Sequence, residues 1–420
     1  MNDFLGALDP HAPPPTASSE LVKVEGGGRT DGPDWFVVYN PAVKRRVLDV
    51  ALLHTFVHET VVCCIQFSAD GKYLATGCNR TAQIYDVASG RRVCVLADPG
   101  PDEKAGMEKA ATATGDLYIR SVRFSPDGRY LATGAEDERV RVWDIEKRTI
   151  RAVFEGHHQD IYSLDFSADG RRLVSGSGDA TVRIWELEEE YEYDEEDRYS
   201  SSEYHNGRRR RPPPLVLTAH PETTAPDDDA GVMAVALSPD GTLVAAGCVD
   251  ALVRVWALAQ APPQNGSRDG SERGSPSLTA TLVQVLRGHT NSVHSVVWTK
   301  DGSGVVSGAL DNTVRVWDLR GTAKREREGK KGMGMTEVGC TVFAGHKDYV
   351  LSVGISRDAQ WIVSGSKDRG VHFWDRDGVV QCLLQGHKNS VISTSLHPVG
   401  NLLATGSGDK LARIWNYNAV

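Results

Sequence analysis

From Trp35 to the C-terminus the chain alternates apolar and polar positions in short runs, such as RRLVSGS, ATVRIW, LVAAGC and LVRVW. A period of two in runs rich in Val, Ile and Thr predicts β-strands with one buried face. Asp-Gly pairs stand between such runs at Asp70-Gly71, Asp127-Gly128, Asp169-Gly170, Asp240-Gly241 and Asp301-Gly302. They predict two-residue hairpin turns with both central residues at positive φ. Residues 1–34, with Pro13-Pro14-Pro15 and Gly26-Gly27-Gly28, carry no periodic apolar positions. They predict a disordered N-terminal segment ahead of a folded unit over 35–420.

The strand pattern itself recurs. A Gly-His pair is followed 28 residues later by Trp at His157 and Trp185, His289 and Trp317, His346 and Trp374, and His387 and Trp415. Between each pair stand Ser175, Ser307, Ser364 or Thr405 and, four residues on, Asp179, Asp311, Asp368 or Asp409. Three weaker copies end at Tyr85, Trp143 and Trp256. The first starts from His58 without its Gly, the second keeps Thr133 and Asp137, and the third has Ala246 where Ser is expected. Seven copies of a four-strand unit predict an all-β, seven-bladed propeller.

Insertions can be placed on this plan. The segment near 98–115 falls between the outer strand of one blade and the inner strand of the next, whereas those near 186–211, 259–277 and 320–337 fall between third and fourth strands. The last three therefore share one face and leave the other comparatively clean. The final copy ends at Trp415-Asn416-Tyr417 with no fourth strand after it, and Arg46–Phe56 precedes the first copy unclaimed. An open edge invites aggregation, so this N-terminal strand is expected to complete the last blade.

Composition narrows the function classes. The net charge of −9 is accounted for by Glu186–Asp197, which holds nine acidic residues and no basic one. The remainder is near neutral, which disfavours direct DNA binding. No apolar run approaches the roughly 20 residues that span a bilayer. Seven Cys without a C-x-x-C spacing read as buried, reduced thiols, and no Cys or His cluster has the spacing of a metal site. The Arg208–Arg211 and Lys324–Lys331 clusters fit a nuclear protein but are not specific.

Ser, His and Asp in one unit raise the question of hydrolysis. A nucleophile needs one His and one oxyanion site, whereas here the trio recurs with a Trp indole in every full copy. One buried tie per blade, running Trp to Ser/Thr to His to Asp, is the expected role, and no catalytic residue or cofactor is assigned. Function is then sought in unrepeated residues on the clean face. The turns before each Asp supply Glu136, Val249, Leu310 and Lys367, and the inner-strand entries supply Asp160, Tyr162, His294, Tyr349, Leu351, Ile392, Tyr118 and Arg120. Aromatic, aliphatic and charged residues together, with few Lys, have the make-up of a protein-binding hot spot.

At these residues a family resemblance appears. The Gly-His and Trp-Asp repeats over about 46–417 resemble WD-repeat propellers. The segments WFVVYNPA (35–42), VVCCIQFSADGKYLATGCN (61–79), DLYIRSVRFSPDGRYLATGAEDERVRVWDIE (116–146), DIYSLDFSADGRRLVSGSGDATVRIW (160–185), SGSKDRGVHFWD (364–375) and GHKNSVIS (386–393) are more narrowly similar to the C-terminal propeller of the fungal Tup-type corepressor family. The resemblance implies a nuclear, non-enzymatic scaffold without DNA binding of its own. It implies DNA-binding repressors, a tetratricopeptide-repeat corepressor subunit, histone tails and deacetylases as partners. The repressor-binding positions it implies are Cys78, Tyr118, Ser121, Glu136, Tyr162, Val249, His294, Lys367, Asn389 and Ser390. His294 stands where that family usually has Tyr, and Val249 where it has Leu. Residues 1–34 show no heptad pattern for the family's tetramerising helical segment. The alternative reading is another WD-repeat adaptor, such as a ubiquitin-ligase substrate receptor or signalling scaffold, because fold alone does not fix function.

Overall fold

The computed structural model describes residues 29–43, 48–98, 117–187, 213–219, 230–260, 278–320 and 338–419. Seven antiparallel sheets form a propeller. Blades 1 to 6 span residues 64–97, 119–154, 161–218, 232–286, 293–344 and 350–385. Blade 7 joins residues 391–419 to Leu48–Val57. The expected insertions fall almost wholly on 99–116, 188–212, 261–277 and 321–337, outside the described residues.

Burial explains why these sequences take these places. The second strand of each blade is covered on both faces by the neighbouring blades, so Arg172–Ser177 is buried after its first residue. An outer strand such as Gly339–Ala344 is exposed at every residue but Phe343. Packing between blades is close because each second strand carries a glycine at one register. A Cβ on Gly176 would sit 2.7 Å from Val232 and Val235 of the next blade. The inner strands are also tied directly. Ser163 Oγ accepts the Val235 N–H at 3.0 Å, and Ser121, Ser295, Ser352 and Ser393 repeat this bond at other junctions. Ala234 lacks the hydroxyl, and there the Trp298 indole donates to the Ala236 carbonyl at 2.9 Å.

Ring closure matches the sequence expectation. Leu48–Val57 pairs antiparallel with Leu411–Ala419, Leu48 opposite Ala419 and Val57 opposite Leu411. Two expectations are corrected. Residues 29–34 belong to a hairpin: Arg29–Asp31 pairs with Phe36–Tyr39, which adds to blade 6 outside Val380–Gln385. Its pairing partner lies at the far end of the sequence, so no local pattern marks it. Residues 1–28 lie outside the described residues. The Asp-Gly turns place only Gly at positive φ, for example Gly71 at 75°. Ser68 and Asp70 instead form a longer loop, with Gly71 N–H donating to the Ser68 carbonyl at 2.9 Å and the Ser68 hydroxyl to Asp70 at 2.6 Å.

Candidate functional site

The repeated polar residues assemble as expected. In blade 3 the Trp185 indole donates to Ser175 Oγ at 2.8 Å, and His157 meets Ser175 through Nε2 at 2.7 Å and Asp179 through Nδ1 at 2.9 Å. The same tie forms in the other full copies: Trp317, Ser307, His289 and Asp311 in blade 5, Trp374, Ser364, His346 and Asp368 in blade 6, and Trp415, Thr405, His387 and Asp409 in blade 7. In each full copy the Ser or Thr is wholly buried and bonded to both the indole and the imidazole, the arrangement of a buried polar tie. Burial alone would raise the Asp179 and Asp311 carboxyls. The His N–H and Thr hydroxyl bonds outweigh it and hold both well below the ordinary carboxylate range.

The weaker copies depart in instructive ways. In blade 1 the Tyr85 hydroxyl takes the place of the indole, 3.2 Å from His58 Nε2, which also meets Thr76 at 3.0 Å. Among the described residues blades 2 and 4 show no such His, and an arginine two residues before the Trp takes the turn Asp: Arg141 pairs with Asp137, and Arg254 with Asp250 at 2.6 Å. Blade 6 has His372 at that arginine position, stacked on His346 with ring centroids 3.8 Å apart. His346, Asp368 and His372 place ligand atoms within 4.8 Å of one another, a grouping that sequence spacing did not reveal. Parallel imidazoles direct their in-plane lone pairs alongside one another rather than to a common point, and both His346 nitrogens are engaged in the tie.

The clean face is built by the turns between second and third strands and by the inner-strand entries. These are joined by backbone bonds: Glu136 to Tyr118, Gly178 to Asp160, Val249 to Gly231, Leu310 to Ser292, Lys367 to Tyr349 and Gly408 to Ser390. They surround a channel cavity of about 1090 Å³ lined by Tyr118, Glu136, Tyr162, Val249, His294, Lys367, Ser121 and Ser390 from the expected set. Arg120 pairs with Glu136, whose other oxygen accepts the Tyr118 N–H at 2.9 Å. The Tyr162 hydroxyl reaches Asp160 at 3.4 Å, and the Lys367 ammonium lies 4.6 Å from the Tyr349 ring centre. Burial pushes the Tyr162 phenol up to about 12 and His294 down to about 4, so both are neutral at pH 7. Burial and the nearby Glu136 charge also raise Asp160.

Not every expected position offers a surface. Cys78 is buried, and Ser121 spends its hydroxyl accepting the Leu164 N–H at 3.0 Å. Ser390 is buried, and Asn389, half-buried, accepts the Ser390 N–H on its side chain at 2.7 Å. All seven cysteines are free thiols; six are buried as expected, whereas Cys340 on an outer strand is exposed.

Seven stretches match the WD domain, G-beta repeat: 51–86, 109–144, 148–186, 214–257, 280–318, 339–375 and 378–416. The chain belongs to the WD-repeat family. Six of the seven stretches run from an outer strand to the third strand of the next blade, so sequence repeat and WD-repeat blade are offset by one strand. The chain is 45% identical over 358 residues to the transcriptional repressor rco-1 of Neurospora crassa, covering 84% of this chain and 48% of that protein. It is 39% identical over 385 residues to the general transcriptional corepressor TUP1 of Saccharomyces cerevisiae, covering 82% and 48%. It is 48% identical over 138 residues to the general transcriptional corepressor tupA of Dictyostelium discoideum, covering 33% and 22%. The chain thus spans about half the length of the first two curated relatives.

Proposed function

We propose that this WD-repeat propeller is a non-enzymatic, nuclear corepressor scaffold whose channel-mouth face binds sequence-specific repressors and chromatin proteins. The observation that carries the reading is the likeness, across most of this chain, to proteins named as transcriptional repressors and corepressors. The channel mouth supports it, because Tyr118, Glu136, Tyr162, Val249, His294 and Lys367 converge there without being repeated from blade to blade. Tyr162 and Tyr118 supply rigid apolar area with a polar tip, and the Arg120–Glu136 pair supplies directed charge, the mixture that concentrates binding energy in a few residues.

The test is affinity capture from nuclear extract with the purified protein and its Tyr162→Ala and His294→Ala variants. DNA-binding repressors are the expected captured class, lost or sharply reduced with Tyr162→Ala while its melting temperature stays at the wild-type value. Recovery of ubiquitin-ligase subunits with no repressors would overturn the reading. Full retention of every partner by both folded variants would remove the face assignment.

A further inference from the structure

The channel-mouth face is not electrically uniform. The residue directly after each turn Asp, or after Asn79 in blade 1, lies at positive φ in every blade and stands at the rim of this face. In blades 3, 4 and 5 that residue is Ala180, Ala251 and Asn312, and in blade 2 it is Glu138. In the three contiguous blades 6, 7 and 1 it is Arg369, Lys410 and Arg80, all exposed. Blade 1 has Glu59 after His58, but in the four full copies the residue after the tie His follows the same division. It is His158 in blade 3 and Thr290 in blade 5, but Lys347 in blade 6 and Lys388 in blade 7. The N–H groups of Lys347 and Lys388 donate to Asp368 at 3.0 Å and Asp409 at 2.8 Å, which pins each lysine beside the turn that carries Arg369 or Lys410.

We propose that blades 6, 7 and 1 form a basic docking arc for an Asp/Glu-rich segment of a protein partner. This rests on the reading of the face as the partner-binding surface and adds the chemistry and position of the contact. Among the described residues, Lys347, Arg369, Lys388 and Lys410 are in no ion pair, so a partner's carboxylates meet cations that have no competing intramolecular partner. Lys367, over the Tyr349 ring, continues the arc inward to the channel mouth. The occupant is a short acidic peptide rather than nucleic acid. The cations sit on separate turns instead of along one groove, and Glu59 and Asp348 lie among them, with Glu136 and Glu138 on the neighbouring blade 2 and Asp160 on blade 3. A uniformly charged phosphate backbone crossing the face meets these carboxylates, whereas a segment confined to the arc meets few of them.

The experiment measures fluorescence anisotropy of a labelled peptide of about ten residues alternating Glu and Ala, beside its Gln counterpart. The acidic peptide is expected to bind at low salt and weaken as NaCl rises from about 0.05 to 0.5 M, and the Gln peptide is not expected to bind. Lys388→Glu combined with Lys410→Glu should weaken binding roughly ten-fold or more, by charge reversal at two exposed cations. Lys72→Glu combined with Arg171→Glu, on the opposite face, should leave binding unchanged. If the charge-reversed protein melts lower than wild type, Lys388→Gln with Lys410→Gln is read in its place. Absence of acidic-peptide binding, equal weakening by the opposite-face pair, or equally tight binding of duplex DNA each overturns the proposal. Repressor capture that survives charge reversal in the arc but is lost with Tyr162→Ala overturns the arc and leaves the proposed function standing. Capture indifferent to both removes both.

Discussion

Among single residues, the turn Asp of each full copy gathers several bonds into one carboxylate. Asp311 accepts from the His289 ring at 2.8 Å, from the Thr290 N–H at 3.1 Å and from the Thr313 hydroxyl at 2.7 Å. Asp311→Ala leaves the buried imidazole donor unpaired and should destabilise by about 1–3 kcal/mol, read as a lower melting temperature. His372 makes a pH prediction. Burial, with the adjacent His346, lowers its folded pKa from 6.5 to about 3. The unfolded chain therefore binds the proton first, and this residue's contribution to stability is intact above about pH 6.5 and lost progressively as pH falls toward 3. Replacing His372 with Leu should flatten the acid limb of a melting-temperature profile; an unchanged limb would show that His372 does not govern it. The ties were legible in the sequence because spacing repeats. The Arg141–Asp137 and Arg254–Asp250 substitutions and the His346–His372 stack were not, since each depends on which side chain faces which across strands.

Between strands and blades, contact rests on small residues facing large ones. Gly176→Val puts a branched side chain where even a Cβ meets Val232 and Val235 at 2.7 Å. Overpacking of that kind should destabilise by about 1–3 kcal/mol, checked by urea unfolding. The hairpin before the closing strand adds a second tie. Asp34 pairs with Arg413, whose side chain is 2% exposed, and Trp35 packs edge-on against Trp415 at 5.7 Å. Asp34→Ala should lower the melting temperature by leaving a buried guanidinium without that partner, at a cost of about 1–3 kcal/mol. The second-strand glycines recur along the chain after a small residue, but glycine in a strand signals close approach without naming what approaches.

For the propeller as a unit, closure is the shared dependency. Leu48–Val57 covers the edge of Leu411–Ala419, and Val50, Phe56, Ile414 and Trp415 are buried around that seam. Removing residues 1–57 should leave blade 7 with an open edge and yield insoluble protein, whereas removing 1–43 should leave a soluble propeller of lower melting temperature. Solubility assays and calorimetry on the two truncations check this, and equal behaviour of both would remove the special role of the closing strand.

The blade count, the four complete ties, the closing strand and the face on which unrepeated residues gather could all be read along the chain, because each follows from a period and a period is local information. Folding in three dimensions added what spacing cannot express: the hairpin Arg29–Asp31 with Phe36–Tyr39 on the edge of blade 6, the burial of Cys78, Ser121 and Ser390 within the expected surface, and the joining of Lys347, Arg369, Lys388, Lys410 and Arg80 into one sector. The last of these arises only when the ring closes, since blade 7 and blade 1 stand at opposite ends of the chain and become neighbours through the seam.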